Sequence, residues 1–224
     1  MDTEHTTIDN EQLSNLIVAA ELSGIALIVR VPDNNSSQIR KIIEIGAEGV
    51  IVPHVNNSED AVKAVQAAKF PPEGKRGFGT MVRSSGFGLP KMDLPEHIRR
   101  SNEGVVVIPL IEEPGAVENV EAIADVIRVD MLLMGPADLS ISMGLHGQYG
   151  NPAVRGCLEE VLRVGKKRNL PVMCEIGCLA SPMTVEKVKE VVDMGLRVIT
   201  FGSVEGAARS ACLGNMEHIV GRIR

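Results

Sequence analysis

Six short apolar runs, 26–31, 50–55, 105–111, 131–134, 171–176 and 198–201, carry little polar alternation, and this constrains the fold more than any other feature. A strand wetted on one face alternates apolar with polar residues. A run such as Val105 to Ile111 must instead be covered on both faces, the condition of a strand in a parallel sheet. Between the runs, apolar residues return at helical spacing. Leu13, Leu16, Ile17 and Ala20 lead to a stop at Gly24; Ile39, Ile42 and Ile43 follow the capping candidates Ser36 and Ser37 and close at Gly46. Ser58 begins a helix through Ala61, Val62, Val65 and Ala68; Asp93 to Asn102 makes a short one, and Pro152 to Arg168 a long one with Leu158, Val161 and Leu162 inward. Pro182 opens a helix through Val185, Val188 and Val192 that ends at Gly195, and 204–213 with 216–223 completes the chain in helix. Strand and helix in alternation specify α/β architecture on a parallel sheet, and 224 residues suffice for one domain, 1–224.

The stretch VVVIPLIEEPGAVENVEAIADVIRVDMLLMGPADLS, residues 105–140, holds the most chemistry. Its two apolar runs end in Glu112 and Asp138. The segment between them has Pro114 at a first helical turn, then Val117, Val120, Ile123, Ala124 and Ile127 at helical spacing. In a strand–helix–strand unit the carboxyl ends of the paired strands open on one face, so these acids are expected side by side there. A lone strand-terminal acid is commonly a cap or an ion-pair partner. Here Glu113 takes the cap role before Pro114, and Gly135 and Pro136 turn the backbone tightly around Asp138. Glu112 and Asp138 are then the minimum protein ligands of a hard divalent cation whose other positions are left to water and substrate.

Composition removes several function classes. A net charge of −6, with Lys166-Lys167-Arg168 as the longest basic cluster, does not neutralise a phosphate backbone, and four Phe, one Tyr and no Trp give little surface for base stacking. No apolar stretch reaches the ~20 residues of a membrane span. The acidic, polar start MDTEHTTIDNEQ is unlike a secretory signal. Cys157, Cys174, Cys178 and Cys212 lack zinc-type spacing and suit reduced thiols, so a cytoplasmic location is expected. The long Gly- and Pro-rich stretch FPPEGKRGFGTMVRSSGFGLPKMD exceeds a simple connector; its Lys75, Arg76 and Arg83 suit an anion or a neighbouring subunit. His54 is expected to pack or cap, and His146 to sit in a flexible loop.

PLIEEPGAVEN and MLLMGPADLSISMG resemble the metal-binding segments of the HpcH/HpaI aldolases, divalent-metal-dependent pyruvate aldolases on a (β/α)8 TIM barrel, and the resemblance covers nearly the whole chain. It implies that Glu112 and Asp138 hold Mg2+, Mn2+ or Co2+. Arg30 would bind the pyruvyl group and stabilise the enolate, and the backbone around Ala137 and Asp138 would contact the substrate carboxylate. His5, in a DTEH segment similar to the family's Asp-Gly-Glu-His, is implied as acid/base, with Glu44 of a neighbouring subunit where the family has Asp. Leu110 stands where many members carry a Gln that donates to the oxo acid; Leu cannot, so substrate preference is expected to shift toward a bulkier or less polar acceptor, or activity to be lost. Six runs fall short of the barrel's eight strands, and the resemblance implies that an N-terminal segment of about forty residues is missing. The implied activity is cleavage of 4-hydroxy-2-oxo acids to pyruvate and an aldehyde by a homo-oligomer. A CoA-ester lyase of the citrate-lyase β type, or a non-catalytic degenerate barrel acting as a binding partner, are the alternatives.

Overall fold

All six apolar runs become strands of one parallel sheet, in the order β1 to β6 along the chain. The computed structural model describes residues 1–88, 93–175 and 184–223. Helix α1 (Asn10–Leu22) precedes β1 (Ile28–Arg30); α2 (Ser36–Ile45), β2 (Gly49–Val52) and α3 (Ser58–Ala68) follow. A 3-10 turn, Arg83–Gly88, and α4 (Leu94–Gly104) lead into β3 (Val106–Ile111), then α5 (Pro114–Glu118), α6 (Val120–Ala124) and β4 (Leu132–Met134). Beyond it lie α7 (Pro136–Ser142), α8 (Pro152–Arg168), β5 (Val172–Glu175), α9 (Val185–Asp193), β6 (Val198–Thr200) and α10 (Val204–Ile223).

Successive strand residues point to opposite faces, and the sheet uses both. Val29, Val50, Val107, Leu132 and Val172 join the large core beneath the helices. Ile51, Ile108 and Leu110, with Ile28, Val106, Leu133 and Met173, form a second apolar cluster on the other face. The sheet curls around that second cluster, as the inner face of a half-barrel does. Double coverage is why the strands read as unbroken apolar runs. Close approach of α8 to β5 depends on Gly165: a Cβ there would meet Val172 Cγ2 at 2.5 Å.

Six strands are formed, short of the eight of a closed barrel; among the described residues the sheet is open, with β1 and β6 at its ends. The chain start extends the β1 end by a parallel bridge between Asp2 and Arg30, with Arg30 N–H donating to Met1 O at 2.8 Å and Thr3 N–H to Arg30 O at 3.0 Å. Other corrections are local. The helix cap before α2 is Asn35, whose side chain accepts from the N–H groups of Ser37 and Gln38, rather than Ser36 or Ser37. The single helix expected after Pro114 is broken at Asn119. Its side-chain amide donates to Gly115 O and Asn56 O, both at 3.0 Å, diverting the helix toward the loop after β2. Ile127, expected to face inward, lies beyond that break and is 83% exposed. The two C-terminal helical segments are one helix. Pro182 and Cys178 lie outside the described residues; Cys157 and Cys212 are free thiols.

Candidate active site

The carboxyl ends of β1 to β4 converge on a cluster of acids. Glu112 follows β3 directly and is 3% exposed; Asp138 stands in the first turn of α7, just after β4. Backbone closeness comes from Gly135. Its N–H donates to Ile111 O at 3.0 Å, and a Cβ on it would stand 3.1 Å from both Glu112 Cβ and Leu110 Cδ1. Only a residue without a side chain lets the β4 exit lie so tightly against the β3 exit.

His54 completes this wall from the end of β2. Its φ of 56° places a non-glycine residue in the left-handed region, a conformation kept only where surroundings hold it. The holding contact is its own N–H, which donates to Glu112 Oε1 at 2.9 Å. The imidazole then lies with Nδ1 3.5 Å from Glu112 Oε1 and 3.3 Å from Glu113 Oε1, and Nε2 3.7 Å from Glu4 Oε1. His54 therefore neither packs nor caps as expected: it belongs to the site. Glu113 occupies the N-cap position of α5 but makes no side-chain cap bond, because its carboxylate is turned toward His54.

Arg30, at the end of β1, is held from the chain start. Its Nε and Nη2 donate to Asp2 at 2.9 and 2.6 Å, a two-pronged pair, and Nη1 lies 3.1 Å from Glu4 Oε2. That Glu4 oxygen is buried and receives no hydrogen bond, since the nearby guanidinium N–H is not aimed at it. Asp2 and Glu4 were legible only as parts of a polar N-terminus; the signal for them was Arg30 itself, a strand-end guanidinium that needs a carboxylate partner.

The electrostatics of the mouth are those of crowded negative charge. Burial pushes the Glu112 carboxyl above the usual carboxylate range; the His54 N–H and ring oppose this, while Glu4 and Asp138 push the same way as burial. Burial works against a charged His54, yet hydrogen bonding to Glu113 and the charges of Glu112 and Glu4 outweigh it and raise the imidazole. Arg30 is likewise desolvated but raised, chiefly by the Asp2 hydrogen bond, with Glu4 and Glu112 adding to it. The structure thus brings Arg30, Glu112, Asp138 and Leu110 to one mouth. Ala137 lies on the α7 turn, where its carbonyl accepts from Ser140 Oγ at 2.7 Å. His5 is exposed beside Glu4, and Glu44 faces Arg40 at 3.8 Å, so within one chain each of the two has its own partner. His146 is exposed and away from these contacts.

A model of the HpcH/HpaI aldolase/citrate lyase family matches residues 1–211. The chain belongs to that family. A 5-keto-4-deoxy-D-glucarate aldolase from Klebsiella pneumoniae is 32% identical over 211 residues, 94% of this chain and 78% of the relative. Among solved structures, the HpcH/HpaI aldolase from Desulfitobacterium hafniense superposes with a TM-score of 0.87 at 26% identity, covering 97% of this chain and 81% of that one. The citrate synthase SbnG superposes with a TM-score of 0.86 at 27% identity, covering 99% and 83%. Membership makes the chain one of a family of aldolases and lyases, a family generally dependent on divalent metals. No helix among the described residues is long and apolar enough to cross a membrane.

The donor set fits such an ion. A carboxylate raised chiefly by burial, with Glu4 and Asp138 adding to the effect, beside a buried Glu4 oxygen without a hydrogen bond among the described residues, is the arrangement a cation would relieve. Among the described residues no group of three or more His, Cys, Asp or Glu is arranged around a common point, so the chain offers a sparse set rather than a closed cage.

Proposed function

We propose that this chain is a divalent-metal-dependent carbon–carbon lyase that cleaves 4-hydroxy-2-oxo acids to pyruvate, or a close 2-oxo acid, and an aldehyde. The observation that carries the proposal is the position of Glu112 directly after β3 and of Asp138 just past the end of the adjacent β4, with Arg30 at the end of β1.

Glu112 and Asp138 are the residues that would hold Mg2+, Mn2+ or Co2+. Bound there, the ion supplies Lewis-acid stabilisation of the negative charge that develops on the 2-oxo oxygen as the C3–C4 bond breaks. Arg30 adds a fixed positive charge to the same region. Its orientation is set in advance by Asp2 and Glu4, so little reorganisation accompanies the reaction. The His54 N–H fixes Glu112 Oε1, leaving the other carboxylate oxygen for the mouth. The backbone turn at Ala137 and Asp138 is the proposed rest for the substrate carboxylate. Leu110, on the inner face two residues before Glu112, offers an apolar wall and no hydrogen bond, so a preference for a less polar acceptor follows.

The 4-hydroxyl proton must leave as the bond breaks, and His5 is the proposed acceptor. Among the described residues its ion-pair partner is Glu4, while Glu44 faces Arg40. The proposed pairing of His5 is with Glu44 of a second copy, so a homo-oligomer is part of the proposal.

The experiment is pyruvate release from a panel of 4-hydroxy-2-oxo acids, with added Mg2+, Mn2+ or Co2+ and with EDTA, for the wild type and Glu112→Gln. The proposal expects turnover that EDTA abolishes and that Glu112→Gln lowers by about a hundredfold or more. Turnover unaffected by EDTA and by the substitution refutes it.

A further inference from the structure

On the opposite end of the sheet from the mouth, a cavity of about 380 Å³ lies between the segments entering β2 and β3 and the Arg83–Gly88 turn. We propose that this cavity binds a small oxyanion, a phosphate or a carboxylate, through the hydroxyls of Ser84 and Ser101, with the Arg76 guanidinium directly behind them.

Arg76 is the anomaly that leads there. It is 4% exposed, and no carboxylate among the described residues forms an ion pair with it. A buried charge without a counter-charge is costly, and proteins normally supply one. What Arg76 has is the Phe70 ring, 4.4 Å from its guanidinium carbon, and the two serines: Nη1 donates to Ser101 Oγ at 3.2 Å and Nη2 to Ser84 Oγ at 3.1 Å. Its Nε has no hydrogen-bond partner among the described residues. Each hydroxyl accepts one bond from Arg76 and donates to no other group among the described residues, so its proton is available, and both residues line the cavity. A positive charge is thereby relayed to two O–H donors on the cavity wall.

The remaining wall agrees in sign. Arg83 lines it, with Nη2 paired to Glu21 but Nε buried and without an acceptor. His97 lines it too, and its Nε2 is buried without a partner. Arg100 is neutralised by Glu96 at 2.6 Å, and Glu48, the other acid of the wall, is exposed to solvent. Glu21 answers Arg83, and Glu96 is shared by Arg99 and Arg100; Glu44 acts on Arg76 through its charge, but no carboxylate among the described residues forms an ion pair with it. The same burial drops Arg76 to about 10 despite the charge of Glu44, with Arg40 adding to the drop. Inorganic phosphate and four-carbon dicarboxylates both fall within the cavity's size and present oxygens to several donors at once.

The test is isothermal titration of the full chain with potassium phosphate and, separately, with potassium succinate, each against potassium chloride at matched ionic strength. The wild type is expected to bind one of the two salts above the chloride background, and which one binds distinguishes the phosphate from the carboxylate source. Ser84→Ala/Ser101→Ala, which removes only the relaying hydroxyls, is expected to weaken that binding about tenfold or more. Arg83→Gln serves as a second variant should the double substitution fail to fold, and is expected to weaken binding in the same direction. Glu112→Gln, at the other end of the sheet, is expected to bind as the wild type does. Absence of binding by both salts in the wild type overturns the proposal. So does undiminished binding by the serine and arginine variants, or binding altered in either direction in Glu112→Gln, which would place the anion at the mouth.

Discussion

Gly135→Ala probes the approach of two strand exits with a single methyl group. At φ −103° and ψ 82° the backbone at Gly135 is open to other residues, so the effect is one of space and not of conformation. The added Cβ would lie 3.1 Å from Glu112 Cβ and 3.1 Å from Leu110 Cδ1, a few tenths of an ångström inside ordinary 3.4–4 Å contact. Leu110 can rotate its methyl away only into the inner apolar cluster, where it is 3% exposed. Glu112 Cβ directly follows β3, which is paired with β2 and β4, so the turn carrying Asp138 must recede and strain the Gly135 N–H to Ile111 O bond of 3.0 Å. Overpacking of this kind costs about 1–3 kcal/mol. In a chain of this size ~2 kcal/mol lowers Tm by about 4–8 °C. Displacing Asp138 from Glu112 should also weaken Mn2+ binding and lower kcat/KM several-fold, given that a misplacement of about 1 Å can cost about a hundredfold. Differential scanning calorimetry in EDTA and Mn2+ titration measure the two effects. A variant with Tm within about 1 °C of wild type and unchanged Mn2+ affinity would show that the strand exits do not depend on this close approach.

Other expectations concern the charges and the inner face. The raised Glu112 carboxyl contributes stability that is fully present below its ordinary value of 4.5 and is lost as pH rises through the raised value, because burial and the charges of Glu4 and Asp138 then act on an ionised group. In EDTA, Glu112→Gln should therefore melt above the wild type at pH 7, with the gap narrowing toward pH 4; a wild type that melts higher at pH 7 contradicts this. Lys69 is fully buried, with Nζ donating to Asn102 O at 2.7 Å and standing 3.7 Å from Asp130. Lys69→Met leaves these acceptors unanswered and should cost about 3 kcal/mol or more in urea denaturation, with activity per folded molecule unchanged. Leu110→Gln puts an amide into the inner apolar cluster. It should lower Tm, while reducing KM for the 2-oxo acid several-fold if that wall faces substrate; an unchanged KM would remove Leu110 from the substrate wall.

How much of this was legible before the structure depended on the kind of interaction involved. Strands covered on both faces write themselves into the sequence as unbroken apolar runs, so all the strands and their parallel pairing were readable. So was the shared exit of Glu112 and Asp138, because a strand–helix–strand unit leaves little freedom in where the strand ends go. Contacts between residues far apart in sequence were not. His54 carries no local sign that its backbone turns left-handed, since what stabilises that turn is Glu112, which lies far along the chain. Asp2 and Glu4 looked like solvated chain-start polarity, and only the bridge to β1 reveals them as the holders of Arg30. The break at Asn119 had the same origin, a side chain recruited by Asn56 against the helical pattern of its own segment. For the basic loop the sequence identified an anion or a subunit as suitable partners, and the burial of Arg76 behind two serines is what turns that alternative toward the anion.

The account rests on a cation shared by Glu112 and Asp138, and the most direct measurement is the anomalous difference density of crystals grown with Mn2+ and pyruvate. The account predicts a peak within coordination distance, about 2.0–2.2 Å, of a carboxylate oxygen of each residue, on the Arg30 side of the mouth. A peak held elsewhere, or crystals in which Mn2+ leaves the Glu112–Asp138 gap empty while pyruvate is bound, would contradict it.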